Sequence, residues 1–180
     1  VALVHEEDRS WDEAVLAYRI AITFAKTPEQ AAEAAAGQER IAALREADRQ
    51  FGVAENEIRN HRVLSAVDSG KRALEVCTRA SSIPCVLRGM ERMADAANTV
   101  WEVPIAIQWR RARTELDPTE DQTWIDLADS LVSVGEFTQA REAAEKALAI
   151  KPPSHIAYKL HALASLGLED FAAVTKAADA

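Results

Sequence analysis

Apolar and polar residues alternate along the C-terminal half of the chain with the spacing of amphipathic helices. Between positions 121 and 154, a set of large apolar residues recurs at intervals of three and four, and a set of alanines recurs at four and three. The large residues are Trp124, Leu127 and Leu131, and the alanines are Ala140, Ala144 and Ala147. These spacings place each set on one helix face, and a face of alanines lets two helix backbones approach closely. The pattern predicts two packed helices.

The same pattern repeats along the chain at a period of about 34 residues, which is typical of stacked helix pairs. Pro84, Pro118 and Pro152 are evenly spaced at this period. One period before the central block, the corresponding residues are apolar or small, namely Met90, Met93, Ala94, Ala97, Val103 and Ala106. One period after it, they include Tyr158, Ala162, Phe171, Ala177 and Ala178. Because a helix pair of this size covers only part of its apolar surface, the repeat predicts an array of stacked helix pairs.

The central block resembles a tetratricopeptide repeat, because it contains W-x2-L-A-x2-L followed by A-x3-A-x2-A and a proline. The resemblance is strongest over residues 87–180. It implies an all-α fold, a right-handed α-solenoid of antiparallel helix pairs, in which Trp124 is buried against Ala140. It also implies the repeats 87–120 and 121–154 and a truncated repeat 155–180. We expect residues 1–86 to form degenerate or lengthened helical repeats, with longer, irregular helices.

Capping residues support helix boundaries in this register. Thr119 precedes Gln122 at the spacing of a capping box, and Ser154 can cap the helix that follows it. Gly135 can adopt the left-handed conformation that ends many helices. We therefore predict helices over 86–99, 103–116, 120–134, 137–150, 155–166 and 169–179.

The N-terminal half is less regular. A helix that begins at Trp11 has the spacing of the second helix of a repeat, and a long alanine-rich helix is predicted over 28–50. We expect Gly52 to permit a break, and 54–80 to form one helix or two, with the joint at Asp68–Gly70. Two interpretations stay open for this half. Its long helices extend the solenoid, or they form a helical hairpin that dimerises.

The charge of the chain bears on its partners. It contains 29 acidic and 21 basic side chains, a formal net charge of -8. This balance repels the phosphates of nucleic acids and anionic lipid surfaces, so we expect no nucleic-acid partner. No apolar run reaches the roughly 18 residues of a membrane span, so we also expect no membrane insertion.

The two cysteines bear on the cellular compartment. Cys77 and Cys85 flank a short segment that contains Pro84, and their spacing allows a disulfide but offers too few ligands for a zinc site. The alternative is a pair of reduced, half-buried thiols. The localisation is therefore unknown from the sequence. A cytoplasmic location is slightly favoured, and a disulfide would instead indicate a periplasmic or secreted protein.

The residues that usually carry chemistry do not form a recognisable site. The four histidines show no metal-ligand spacing, and no nucleophile motif or glycine-rich phosphate loop is present. His5, His61 and His155 are expected to be exposed, and His161 to be half-buried between helices. We predict no catalytic residues, no cofactor and no metal site, and the acidic runs 6–8 and 169–170 are expected in solvated turns or at helix N-termini.

Two further groups of residues allow more than one interpretation. Arg110, Arg111 and Arg113 form the densest basic cluster, which either binds an acidic peptide or is a solvated helix face. Four tryptophans could stack on a ligand or fill the core. Trp11 and Trp124 stand at packing positions of the repeat and are expected in the core. Trp101 and Trp109 lie outside the pattern, and one of them is expected at an exposed binding surface.

The resemblance implies a concave groove that is lined by the first helix of each repeat and binds extended peptides or helices. The positions that would face this groove are Gln122, Ile125, Asp129, Val132, Ile156, Lys159, Leu163 and Leu166. Some members of the family bind a partner's C-terminal carboxylate with Lys and Asn at two of these positions. Here Ile125 and Asp129 stand in their place, so a carboxylate-binding site of that kind is not supported.

These observations favour a non-catalytic scaffold for protein–protein interaction. Its partner would be a protein or peptide, basic or amphipathic, because the predicted groove is mixed apolar and acidic. One alternative is a structural element that forms a homo-oligomer. Another is the regulatory arm of a larger enzyme or secretion assembly, with the chemistry in another segment.

Overall fold

A computed structural model describes residues 10–178 of the chain, with side chains described as far as Thr175. This part of the chain is all-α and contains nine helices, which we number in chain order. They are Trp11–Thr23 (α1), Pro28–Arg59 (α2), Val63–Arg79 (α3), Ile83–Thr99 (α4), Val103–Leu116 (α5), Asp121–Ser133 (α6), Phe137–Ile150 (α7), His155–Gly167 (α8) and Phe171–Ala178 (α9). The predicted all-α class is confirmed.

The six helices predicted in the C-terminal half are all present. The bounds of α5 and α7 are as predicted, and the other bounds differ only slightly. The largest difference is the start of α4 at Ile83, which places Pro84 at the second helical position. Proline is tolerated there because the first N–H groups of a helix have no intrahelical acceptor. Pro118 and Pro152, by contrast, lie in the loops before α6 and α8.

The chain divides into two compact units. The first contains the described residues up to Ala54 together with Leu64–Gly89, and the second contains Glu55–Val63 together with the described residues from Met90 onward. The second unit includes α5–α9, and the first includes α1 and most of α3.

The core of the second unit is built largely from alanine. Buried alanines on α7 face buried residues of α6 and α8, so the helix backbones lie close together. The half-buried Phe137 packs against this core, and its ring lies where a Cβ at Gly167 would stand. The cluster comprises Val103, Ile107, Ile125, Leu127, Ala128, Leu131, Ala140, Ala143, Ala144, Ala147, Ala157, Leu160 and Ala164.

Two glycines allow close helix packing in the first unit. The ring of Tyr18 on α1 occupies the space where a Cβ at Gly37 of α2 would lie, and the ring of Phe51 does the same at Gly89. A larger residue at either glycine would have to displace an aromatic ring. These contacts hold α1 and the first half of α4 against the long helix α2.

Helix α2 corrects the predicted break at Gly52, because its 32 residues run through that position without interruption. On either side of the glycine the buried residues Ala47, Phe51, Ala54 and Ile58 continue one helical stripe. Their burial offsets the cost of about 1 kcal/mol that a glycine imposes inside a helix.

The predicted joint at Asp68–Gly70 is also wrong, because these residues lie inside α3. Ser69 and Gly70 are buried on the packed face of that helix. Their small size serves close packing there, and not a turn. The joint lies instead before α3, where His61 has a φ of 56° and the Arg62 N–H donates to the Glu57 carbonyl at 2.8 Å.

That hydrogen-bond pattern, in which a left-handed residue follows the helix, is the Schellman motif. It ends five of the helices in the described part of the chain. The left-handed residues are His61, Ser81, Trp101, Gly135 and Glu169. The last three are separated by one period each, so the turns follow the repeat.

A disulfide joins Cys77 near the end of α3 to Cys85 near the start of α4. The Cα atoms of the two cysteines are 5.5 Å apart, a separation typical of disulfides. The left-handed residue Ser81 turns the chain between them. Of the two alternatives that the sequence left open for these thiols, the structure has the bonded one.

Candidate functional site

The eight predicted groove residues lie on two neighbouring helices of the second unit. Four are on α6 and four on α8, and the two helices contact each other. Within each helix the spacing of three, four and three residues places the four side chains on one face. On α8 this face adjoins the one that carries Ala157, Leu160 and Ala164, which are buried in the core.

The α8 part of this face is exposed and mainly apolar. Ile156 is 56% exposed, Leu163 39% and Leu166 51%, and the exposed Lys159 stands among them. Three aliphatic side chains in one helical stripe form a larger apolar surface than the scattered residues that are normal on soluble proteins. A partner helix or extended segment can cover such a stripe.

The α6 part of the face is more polar. Gln122 and Asp129 are exposed, and the Gln122 side-chain amide donates to the Asp126 carboxylate at 2.7 Å. Val132 is half-buried and packs against the core. Ile125 is only 6% exposed and belongs to the core cluster, so the side chains that α6 offers to solvent here are Gln122, Asp129 and part of Val132.

Two carboxylates of α4 occupy the equivalent positions one period earlier. Glu91 corresponds to Ile125 in the repeat, and Asp95 corresponds to Asp129. The side chains of Glu91 and Asp95 are 46% and 65% exposed. Along the repeat, this face therefore changes from acidic on α4 to mixed on α6 and apolar on α8.

In the basic cluster of α5, Arg110 and Arg113 are neither part of a solvated helix face nor a free site for acidic peptides, the two alternatives that the sequence suggested, whereas Arg111 is exposed. Arg110 and Arg113 are only 11% and 15% exposed, and both are paired with carboxylates. Arg113 lies 3.6 Å from Glu91 and 3.5 Å from Asp126. Carboxylates on α4 and α6 neutralise these guanidinium groups, so the arginines bind neighbouring helices.

The other contacts of Arg110 and Arg111 also join α5 to neighbouring helices. Arg110 donates to the main-chain carbonyl of Asp126 at 3.0 Å, to the Ser130 hydroxyl, and to Asp95 at 3.4 Å. Arg111 is exposed and donates to the side-chain carbonyl of Gln139 on α7. Sequence reasoning missed this network because its acidic partners lie on other helices and no local pattern marks them.

The four tryptophans differ in exposure. Trp109 is buried, and Trp101 is 84% exposed, so one of the two lies at the surface as expected. Trp11 and Trp124 are half-buried, which corrects the expectation that they belong fully to the core. The Trp124 ring packs against the alanine core, but its Nε1 donates to the Pro118 carbonyl at 3.0 Å and Lys146 lies over its face. These polar contacts hold the ring at the edge of the core.

The remaining candidates for chemistry have structural contacts. The imidazole of His161, which is half-buried, lies 3.3 Å from Glu145 on the preceding helix. His61 and His155 are exposed. The Asp170 carboxylate accepts from the Ala173 N–H at the start of α9 and pairs with Arg141 at 3.1 Å. His5 and the acidic run 6–8 lie outside the described residues.

Among residues 10–178, no group of three or more His, Cys, Asp and Glu side chains is placed to hold a metal ion. In the same part of the chain, no helix combines the length and the apolar character needed to cross a membrane.

The comparisons with known proteins agree on the fold. No family model matches the sequence, and no curated protein matches it. The C-terminal TPR-containing domain of a Plasmodium falciparum FK506-binding protein is similar over 72% of this chain and 93% of that domain, with 14% identity and a TM-score of 0.51. A mutant of MamA is similar over 99% and 92% of the two chains, with 14% identity and a TM-score of 0.52. At this identity the likeness concerns the fold alone.

Proposed function

Because the chain has the fold of the tetratricopeptide-repeat proteins, we propose that it is a non-catalytic scaffold that binds a protein segment on the exposed face of α6 and α8. The observation that carries this proposal is the apolar stripe of Ile156, Leu163 and Leu166 beside the exposed Asp129. Protein partners are what the fold implies. The chemistry of this face indicates which kind of segment fits.

The segment we expect is amphipathic and carries a basic residue. Its apolar side chains would cover the stripe on α8, which removes apolar surface from water. Its basic residue would pair with Asp129, and the carboxylates of Glu91 and Asp95 extend the acidic character of this face on α4. The net charge of -8 favours association with such a partner.

The test is the reversal of one charge. Asp129→Lys should weaken binding of a partner recovered by pull-down by about 1 to 3 kcal/mol in calorimetry, because it replaces an attraction with a repulsion at the interface. Helicity should not change, since Asp129 is exposed. The control is Glu142→Lys, an exposed glutamate on α7, which should have little effect. Equal effects of the two variants would mean that the partner does not use this face.

A second candidate function is self-association through the N-terminal helices. Exposed apolar residues on α1 and at its C-cap, namely Leu16, Ile20 and Phe24, recur at every fourth position and form a stripe. A second copy of the chain could cover it. Analytical ultracentrifugation of Leu16→Lys and Ile20→Lys variants tests this function, and a monomeric parent chain would exclude it.

A further inference from the structure

A second exposed surface lies at one end of the second unit, away from the groove face. Consecutive helices are antiparallel, so the turns α4–α5, α6–α7 and α8–α9 lie at the same end. Each turn has the same order of residues, an apolar residue, a left-handed residue and an acidic residue. The three turns are Val100-Trp101-Glu102, Val134-Gly135-Glu136 and Leu168-Glu169-Asp170. We call the exposed side chains of these turns the helix-end row.

The backbone conformation and the exposure of Trp101 are not explained by the folding of the chain. Its φ is 64°, a conformation that disfavours residues with a Cβ, and one period later the same position is Gly135 at 80°. The turn is closed by backbone hydrogen bonds, from the Trp101 N–H to the Asn98 carbonyl and from the Glu102 N–H to the Ala97 carbonyl. The indole makes no contribution to these bonds and is 84% exposed. His61, Ser81 and Glu169 share this conformation with polar side chains, so what distinguishes Trp101 is a large apolar ring that its left-handed turn exposes to solvent.

The charges of the row indicate what a partner would carry. Glu102 and Glu136 stand at the N-caps of α5 and α7, yet neither side chain makes a cap hydrogen bond. Asp170 caps its helix and pairs with Arg141 at 3.1 Å, and Glu136 accepts from the Gln139 side-chain amide at 3.2 Å. The nine residues of the three turns contain no basic residue. Because Arg141 neutralises Asp170, the negative charge of the row comes mainly from Glu102 and Glu136, and together with the apolar groups it disfavours nucleic acids and anionic membranes.

We infer that the helix-end row binds an extended protein segment in which arginine alternates with apolar residues. A guanidinium group stacks on the face of an indole and pairs with a carboxylate, and Trp101 and Glu102 offer both groups side by side. Val134 and Leu168, which are 42% and 37% exposed, repeat the apolar element, and Glu136 repeats the acidic one. This inference is independent of the proposed groove on α6 and α8.

The probe for the test is a fluorescein-labelled octapeptide of alternating arginine and leucine, titrated with the full chain and followed by fluorescence anisotropy. Trp101→Gly should weaken binding at least about five-fold, because it removes the stacking surface. It should not lower the melting temperature, since glycine suits the left-handed backbone. Glu102→Gln should weaken binding about three-fold at low salt, with a smaller effect at high salt.

Matched controls separate this surface from others. His61→Gly makes the same backbone change at an exposed left-handed position without removing an indole, and it should leave affinity unchanged. Asp129→Lys, at the proposed groove, should weaken binding of this peptide less than Trp101→Gly does. An octapeptide of alternating glutamate and leucine should not bind, because the row is acidic.

Several results would overturn the inference. One is the absence of binding by the parent chain, and another is equal affinity of Trp101→Gly. A lower melting temperature of Trp101→Gly would make the indole structural. An equal loss of binding in Asp129→Lys would move the peptide to the groove. Self-association that disappears in Trp101→Gly would make the row a contact between copies. None of these results decides the proposed function, which has its own partner and variants.

Discussion

Two interfaces of the second unit occupy the same place in the repeat and are built from opposite chemistry. Between α5 and α6, arginines pair with carboxylates, and we call this the polar interface. Between α7 and α8, one period later along the chain, alanines pack against aliphatic residues, and we call this the apolar interface. Residues one period apart correspond to each other. Arg110 and Arg113 of α5 correspond to Ala144 and Ala147 of α7, and Asp126 and Ser130 of α6 correspond to Leu160 and Ala164 of α8. Glu91 of α4, which also pairs with Arg113, corresponds to Ile125 of α6.

The comparison shows that the period determines where residues meet and not how they interact. Ala144 and Ala147 are fully buried. Arg110 and Arg113, at the equivalent positions of α5, extend to carboxylates on neighbouring helices. Replacing a half-buried ion pair by well-packed apolar residues is often neutral or stabilising, so the polar interface need not be the stronger one. Removing a single partner at either interface is costly, for different reasons.

The largest effect is expected at the apolar interface. Leu160→Ala should lower the free energy of unfolding by about 3 to 4 kcal/mol, because Leu160 is 3% exposed and its loss leaves a cavity. The control on the same helix is Leu163→Ala, which should cost less than about 1 kcal/mol because Leu163 lies on the exposed face. Denaturation in urea measures both. Similar losses for the two variants would contradict the assignment of core and surface on α8.

The polar interface should show a smaller loss that can be reversed. Arg113→Ala should cost about 2 to 3 kcal/mol, because it leaves Asp126 and Glu91 without their shared cation. The triple variant Arg113→Ala, Asp126→Leu, Glu91→Ile carries the residues of the apolar interface into the polar one. We expect its free energy of unfolding to lie within about 1 kcal/mol of the parent chain or above it, because the buried Nε of Arg113 also lacks a hydrogen-bond partner. A triple variant no more stable than Arg113→Ala would show that the two interfaces are not interchangeable.

The polar interface could be predicted from the sequence far less well than the apolar interface. The apolar residues of α6–α8 recur at helical spacing, so the helices, their register and most of their buried residues follow from local pattern. Arg113 meets Glu91 and Asp126 only through tertiary structure. A cluster of three arginines in a sequence does not reveal whether its neighbours in space are carboxylates or water.

The N-terminal helices illustrate a second limit. Gly52 and Asp68–Gly70 resemble helix breaks when only propensity is considered. Burial of Phe51 and Ala54 keeps α2 continuous, and burial of Ser69 keeps α3 continuous. Tertiary packing outweighs a cost of about 1 kcal/mol for a glycine. The real joint at His61 is marked only by a residue that tolerates the left-handed region moderately well.

The groove face shows what could be predicted about function. The resemblance to tetratricopeptide repeats implied eight groove residues on α6 and α8, of which the structure has seven exposed or half-buried, and their role in binding stays a prediction. The eighth residue, Ile125, is buried. Its equivalent on α4 is the acidic Glu91, whereas Ile125 is apolar and joins the core. The sequence pattern predicted that one of Trp101 and Trp109 is exposed, but neither which of the two it is nor the left-handed backbone of Trp101 followed from it.

The first unit is cross-linked by a disulfide, whereas the polar and apolar interfaces belong to the second unit. Reduction of the disulfide between Cys77 and Cys85 should lower local stability by about 2 kcal/mol, because the loop that it closes is short. Hydrogen exchange should therefore accelerate near the end of α3 and the start of α4, and stay unchanged across α6–α8. The Cys77→Ala, Cys85→Ala double variant should behave as the reduced chain does. Acceleration throughout the chain would mean that the disulfide supports both units equally.

Photo-crosslinking from the groove face tests whether a partner binds on α6 and α8. A chain with benzoylphenylalanine in place of Leu163 is irradiated in an extract of the cells that produce it, beside a chain that carries the same group in place of the exposed Ala149 on α7. Our expectation is a partner adduct from position 163 alone, which disappears when Asp129→Lys is added. Equal adducts from both positions, or an adduct from position 163 that Asp129→Lys leaves unchanged, would contradict it.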